Sequence, residues 1–169
     1  MITGAANPAD ETLMVRAYGQ NLRVCIRHGD GVPLALCNGI GASLEVLDPL
    51  VEHLGVKRTV IRFDVPGTGA SPNSRWPYGI PYLACVVGRM LDALGCGRVD
   101  VLGYSWGGAL AQQFAFQNPR RCRRLVLAAT ATGALMVPAR PSVLTKMLTP
   151  RRFVDRDYLA SIAATIYGG

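Results

Sequence analysis

The sequence predicts an α/β protein with a mostly parallel sheet, antiparallel first strands and helices on both faces. Three observations carry this. Two apolar-polar alternating stretches open the chain, Thr12 to Tyr18 and Leu22 to Arg27, separated by Gly19-Gln20 in the pattern of a β-hairpin. Short apolar runs then alternate with helical stretches. Finally, half of the 169 residues are hydrophobic and 17% are charged, enough for one domain with a real core.

Taken in order, Pro33-Leu34-Ala35-Leu36-Cys37 suits a buried strand that stops at the glycine-rich Asn38-Gly39-Ile40-Gly41. A helix follows, with Asp48 expected as N-cap, Pro49 at its first position and Gly55 beyond its end. Thr59-Val60-Ile61-Arg62-Phe63 repeats the strand, a Gly/Pro-rich loop follows, and a helix runs from about Pro81 to Leu94, where Gly95 supplies the stop. The third unit passes from Val99-Asp100-Val101-Leu102 through a serine turn into a helix ending near Asn118-Pro119. Arg124 to Ala129 reads as a further buried strand. After Thr132-Gly133 the texture changes, with prolines at 138, 141 and 150 and helical character over Ser142 to Leu148 and Asp155 to Tyr167. The expected division is a core over residues 1–135 and the start of a helical cap or insertion over 136–169.

Composition narrows the function. No stretch approaches the roughly eighteen apolar residues of a membrane span, and Met1 to Asp10 lacks a basic flank followed by an apolar run, so a cytoplasmic protein is expected. Cys25, Cys37, Cys85, Cys96 and Cys122 stand singly among apolar residues and read as reduced thiols, and no Cys or His pair has metal-ligand spacing. The net charge of +7 is concentrated in Arg120, Arg121, Arg123, Arg124, Arg151, Arg152 and Arg156. Without interleaved aromatics this is read as a solvated basic edge, and no nucleic-acid partner is expected. No residue pattern specifies an oligomeric state.

The chemistry concentrates at Gly103-Tyr104-Ser105-Trp106-Gly107, a G-x-S-x-G sequence between an apolar strand and an amphipathic helix. Ser105 is expected on a strained strand-to-helix turn that lifts its hydroxyl above the sheet, with Gly103 and Gly107 making room for neighbouring chain. The helix N-terminus aims its dipole and free N–H groups at the same place. Acyl transfer needs two N–H donors for the tetrahedral oxyanion, and the expected positions are Trp106 and Ile40, the latter in the Asn38-Gly39-Ile40-Gly41 loop. His28-Gly29-Asp30-Gly31 imitates such a loop but precedes the third strand and is read as a turn.

The Asn38 to Gly41 segment resembles the His-Gly loop of the α/β-hydrolases, with Asn in place of His. Asp64-Val65-Pro66-Gly67-Thr68-Gly69-Ala70-Ser71 resembles their D-x-P-G-x-G-x-S loop, where the acid is structural. Cys37 to Ala42, Phe63 to Gly67, Ser105 to Ala115 and Met136-Val137-Pro138 look like the intracellular depolymerases of medium-chain-length polyhydroxyalkanoates. So do Pro150-Arg151-Arg152 and Ile166 to Gly169. The resemblance implies hydrolysis of small or polymeric esters of 3-hydroxy acids, association with polymer granules, and neither metal nor organic cofactor. General carboxylesterase or lipase activity is the alternative within the class.

In that family an acid and then a histidine follow the serine. No histidine follows Ser105, and His28 and His53 both precede it. Asp155 and Asp157 are read as surface or helix-cap residues. The chain is therefore expected to be a truncated hydrolase, and a non-catalytic remnant with a binding surface is the reading from a different class.

Overall fold

The computed structural model describes residues 10–55, 57–131, 140–149 and 151–167. Two compact units divide the chain, one ending at Ala131 and one beginning at Thr132. The boundary expected between 135 and 136, the Met136-Val137-Pro138 segment, Pro150 and the final Gly168-Gly169 lie outside the described residues.

The first unit opens with β1 (Glu11–Ala17) and β2 (Gln20–Arg27), paired antiparallel with Ala17 opposite Gln20. The turn between them is Tyr18-Gly19, not Gly19-Gln20. Both residues have positive φ, 47° and 78°, the backbone of a type I′ turn, whose twist matches that of the flanking strands. β3 (Asp30–Cys37) and β4 (Arg58–Phe63) follow, connected by a 3₁₀ turn over Leu44–Leu47 and α1 (Asp48–His53). Asp48 is not the cap: Leu47 holds that position and makes no side-chain cap bond. The preceding 3₁₀ turn draws Asp48 into the helix, and its carboxylate bonds instead to Arg62 of β4.

α2 (Ile80–Ala93), β5 (Val99–Tyr104), α3 (Trp106–Gln117) and β6 (Cys122–Ala128) complete the unit. The sheet order is β1-β2-β4-β3-β5-β6, with β4, β3, β5 and β6 parallel. Alternation along the strands builds a core on each face. Leu34, Leu36 and Val60 meet Leu47 and Val51 on one face. Cys37, Ile61, Phe63 and Val101 meet α2 and α3 on the other. Leu83, Met90 and Leu91 of α2 are fully buried, and such burial contributes on the order of 2 kcal/mol per side chain. Gly95 ends α2 at φ 70°, with Cys96 N–H bonding Leu91 O at 2.8 Å and Gly95 N–H bonding Asp92 O at 3.0 Å. These two bonds form a Schellman cap, which only a residue tolerant of positive φ completes without strain.

β6 is the edge of the sheet, and Leu125 and Val126 are exposed there, so the expectation of a buried strand does not hold within the described residues. The basic edge is partly neutralised. Arg123 bonds both oxygens of Asp100 at 2.8 and 2.7 Å, and Arg121 pairs with Asp92 at 2.8 Å.

The second unit contains α4 (Pro141–Leu148), α5 (Arg151–Val154) and α6 (Arg156–Tyr167). Asp155 accepts from Tyr158 N–H and from Arg151 Nε, each at 2.9 Å, which places it as the N-cap of α6. Among the described residues no helix is long and apolar enough to cross a membrane.

Candidate active site

Every parallel strand points its C-terminal end toward one edge of the sheet, and there β5 passes into α3 through Ser105. The ladder continues one residue past the strand, since Ser105 N–H bonds Ala128 O at 2.9 Å. The helix begins at once, with Gly108 N–H bonding Ser105 O at 2.9 Å. Held from both sides, Ser105 takes φ 54° and ψ −123°, a conformation that costs a non-glycine residue about 1–3 kcal/mol. It occupies the N-cap position of α3, yet its side chain makes no cap bond. The hydroxyl is therefore not used to finish the helix.

The surrounding glycines are required by close approach. A Cβ on Gly103 would sit 2.5 Å from Gly108 Cα, and one on Gly107 would sit 2.1 Å from Cys37 O and 2.4 Å from Asn38 O. These contacts let the end of β3 pack on the first turn of α3. The Asn38–Gly41 loop consequently lies against the serine, with the Cβ position of Gly39 3.7 Å from Ser105 Cβ. Asn38 braces this loop. Its Oδ1 accepts from Gly39 N–H and its Nδ2 donates to Ser43 O, both at 2.7 Å. Gly41 allows the return at φ 67°. Ile40 carries a half-exposed side chain on this loop, and Trp106 supplies the first N–H of α3, which has no intrahelical acceptor by position.

Asp64 supports the loop from below. It is fully buried, accepting from Arg23 Nε and Leu44 N–H at 2.7 Å each and from Ala70 N–H at 2.9 Å. One carboxylate thus joins β2, its own loop and the 3₁₀ turn that follows Gly41. Gly69 has to be glycine, because a Cβ there would sit 2.1 Å from Asp64 Oδ2. Arg23 also pairs with Glu45 at 2.7 Å, and this bond draws the Glu45 carboxyl down to about 2. Sequence reasoning missed Arg23, since nothing distinguishes it from any charged residue on an alternating strand.

The remaining candidates lie elsewhere or are inert. Burial pushes the Cys37 thiol up to about 12, so beside this loop it stays protonated and is no nucleophile. His28 follows β2, whose C-terminal end lies by the N-terminal end of β4, and it pairs with Glu11 at 2.6 Å. His53 ends α1, which leads back to the start of β4. Both histidines therefore lie at the opposite end of the strands from Ser105.

A serine on a strained strand-to-helix turn, beside a braced glycine loop on a parallel sheet, defines a class. Residues 32–166 match the family model for the alpha/beta hydrolase fold, and the chain belongs to that family. It is 53% identical over 157 residues to the poly(3-hydroxyalkanoate) depolymerase of Ectopseudomonas oleovorans, covering 92% of this chain and 56% of that enzyme. A 2-hydroxy-6-oxo-2,4-heptadienoate hydrolase of Pseudomonas putida is 38% identical over 107 residues, covering 59% of this chain and 37% of the relative. Among solved structures, a hydrolase from Pseudomonas aeruginosa superposes with a TM-score of 0.68 at 31% identity, covering 93% of this chain and 59% of the other. The chain spans about half the length of the curated depolymerase it matches.

Proposed function

We propose that this chain carries the nucleophile and oxyanion-binding part of a serine ester hydrolase acting on poly(3-hydroxyalkanoate)-like esters. The observation that carries the reading is Ser105 itself, held at φ 54° with its hydroxyl unused as a cap and the Gly39 loop against it. Identity to the depolymerase supports the choice of substrate. In this reading Ser105 Oγ attacks the ester carbonyl carbon while the Ile40 and Trp106 N–H groups hold the developing oxyanion. The C–O bond to the leaving alcohol breaks, an acyl-enzyme forms, and water then releases the acid. The serine proton passes to a general base, a role that neither His28 nor His53 takes from the opposite end of the strands. The helical second unit belongs in this reading to a helical cap or insertion, and a cytoplasmic protein associated with polymer granules fits it too. No cofactor takes part in it.

A fluorophosphonate probe followed by peptide mass spectrometry tests this. The expected result is an adduct on Ser105 that Ser105→Ala abolishes. Folded protein without an adduct at Ser105 refutes the proposal. That outcome favours a non-catalytic binding remnant, the reading that the placement of His28 and His53 supports.

A further inference from the structure

A cavity of about 560 Å³ lies between the β1–β2 hairpin and the loop after β4. The proposed ester hydrolysis does not use it. Its position follows from register. Val24 pairs with Phe63 and β2 runs antiparallel to β4, so Gln20 lies beyond the C-terminal ends of the parallel strands, at the same end as Ser105. Three strand spacings separate β2 from β5, about 14 Å across the sheet.

The lining residues include Arg16, Arg75, Gln20, Asn21, Trp76 and Tyr82, with no aspartate or glutamate. Arg23, Arg27, Arg58, Arg62 and Arg123 each hold an aspartate. Arg16 and Arg75 have no such partner among the described residues. Two cations thus share one cavity without a counter-charge.

The wall is fixed in advance. Gln20 Nε2 donates to Ser74 Oγ at 3.0 Å and to Tyr82 Oη at 2.9 Å, and Tyr82 Oη donates to Tyr18 O at 2.9 Å. Ser74 Oγ in turn donates to Trp76 O at 2.8 Å. The segment bearing Arg75 and Trp76 is therefore tied to the hairpin bearing Arg16. Trp76 leaves 78% of its surface exposed, so a large apolar face stands beside the two charges. A planar guanidinium matches a carboxylate bidentately, and an indole face takes an alkyl segment.

We propose that this cavity binds aliphatic carboxylates, the acid on Arg16 and Arg75 and the alkyl chain along Trp76. The choice of acid rests on the ester-hydrolysis reading, in which a 3-hydroxy acid is the product. The site is separate from Ser105 and holds the acid end of a released fragment.

Calorimetric titration with 3-hydroxyoctanoate, paired with tryptophan emission, tests it. Saturable binding is expected, with an emission change that Trp76→Phe removes. Affinity falls at least tenfold in the Arg16→Ala/Arg75→Ala double variant and at least tenfold for the methyl ester. Inorganic phosphate at equal concentration does not displace the acid. Unchanged binding in the arginine variant, equal binding of the methyl ester, displacement by phosphate or no binding at all overturns the proposal. Arg75→Gln alone serves if the double variant does not fold. Ser105→Ala binds like the parent. Carboxylate binding without labelling of Ser105 therefore overturns the hydrolase reading alone, and labelling without carboxylate binding overturns this one alone.

Discussion

Gly107→Ala separates packing from propensity at the serine turn. Inside a helix, alanine is favoured over glycine by up to about 1 kcal/mol, so propensity alone predicts a more stable protein. The structure predicts the reverse. The new methyl would stand 2.1 Å from Cys37 O and 2.4 Å from Asn38 O, both backbone atoms that cannot rotate away. Restoring ordinary contact moves the Asn38–Gly41 loop or the first turn of α3 by about 1 Å, an overpacking that costs about 1–3 kcal/mol. For a chain of this size that lowers Tm by roughly 3–10 °C. In the proposed reading the same displacement shifts the Ile40 and Trp106 N–H groups relative to each other, and a misplacement of about 1 Å costs on the order of a hundredfold in rate. Thermal unfolding and the rate of fluorophosphonate labelling at Ser105 measure the two effects. A Gly107→Ala protein with unchanged or raised Tm and parental labelling would refute the reasoning.

Asp64→Asn is expected to destabilise the fold by about 2–4 kcal/mol in urea titrations, because a buried amide cannot replace the charge facing Arg23 or accept all three bonds; a loss under 1 kcal/mol counts against its bracing role. Hydrogen bonding to Arg123 first, and then to Arg58, holds the Asp100 carboxyl at about 2, against its ordinary 3.8. A depressed carboxylate stabilises the fold above pH 3.8, and that contribution is lost as pH falls toward 2. Its size is about 1 kcal/mol once solvent screening at the partly exposed arginines is allowed for. Parent and Asp100→Asn stabilities should therefore converge between pH 4 and 2, and a gap that stays constant over that range defeats the argument. With a disulfide reagent at pH 8, exposed Cys85 should react in the native protein and Cys37 only on unfolding; native modification of Cys37 at the rate of Cys85 would contradict its burial.

The elements best read from sequence are those whose signals are local. Gly95 marks the end of α2 because a Schellman cap needs positive φ at one position, and a strand-flanked G-x-S-x-G marks the serine turn because both glycines face backbone. The hairpin turn slipped by one residue because Tyr18, not a glycine-like residue, takes the first left-handed position. Asp48 looked like a cap because the pattern Asp-Pro is common there, but the 3₁₀ turn before it moved the helix start. What stayed illegible is long-range: Arg23, Asp64 and Leu44 meet only after the sheet has formed, 41 and 20 residues apart along the chain. The cavity of Arg16 and Arg75 joins a hairpin to a loop in the same way. No window of sequence contains either.

The serine turn also sets folding against chemistry. At φ 54° glycine is the residue that backbone sterics prefer, so a lineage screened only for staying folded would drift toward glycine at position 105. The hydroxyl that the proposed ester hydrolysis needs thus sits at the one coordinate where thermodynamic comfort argues for its removal.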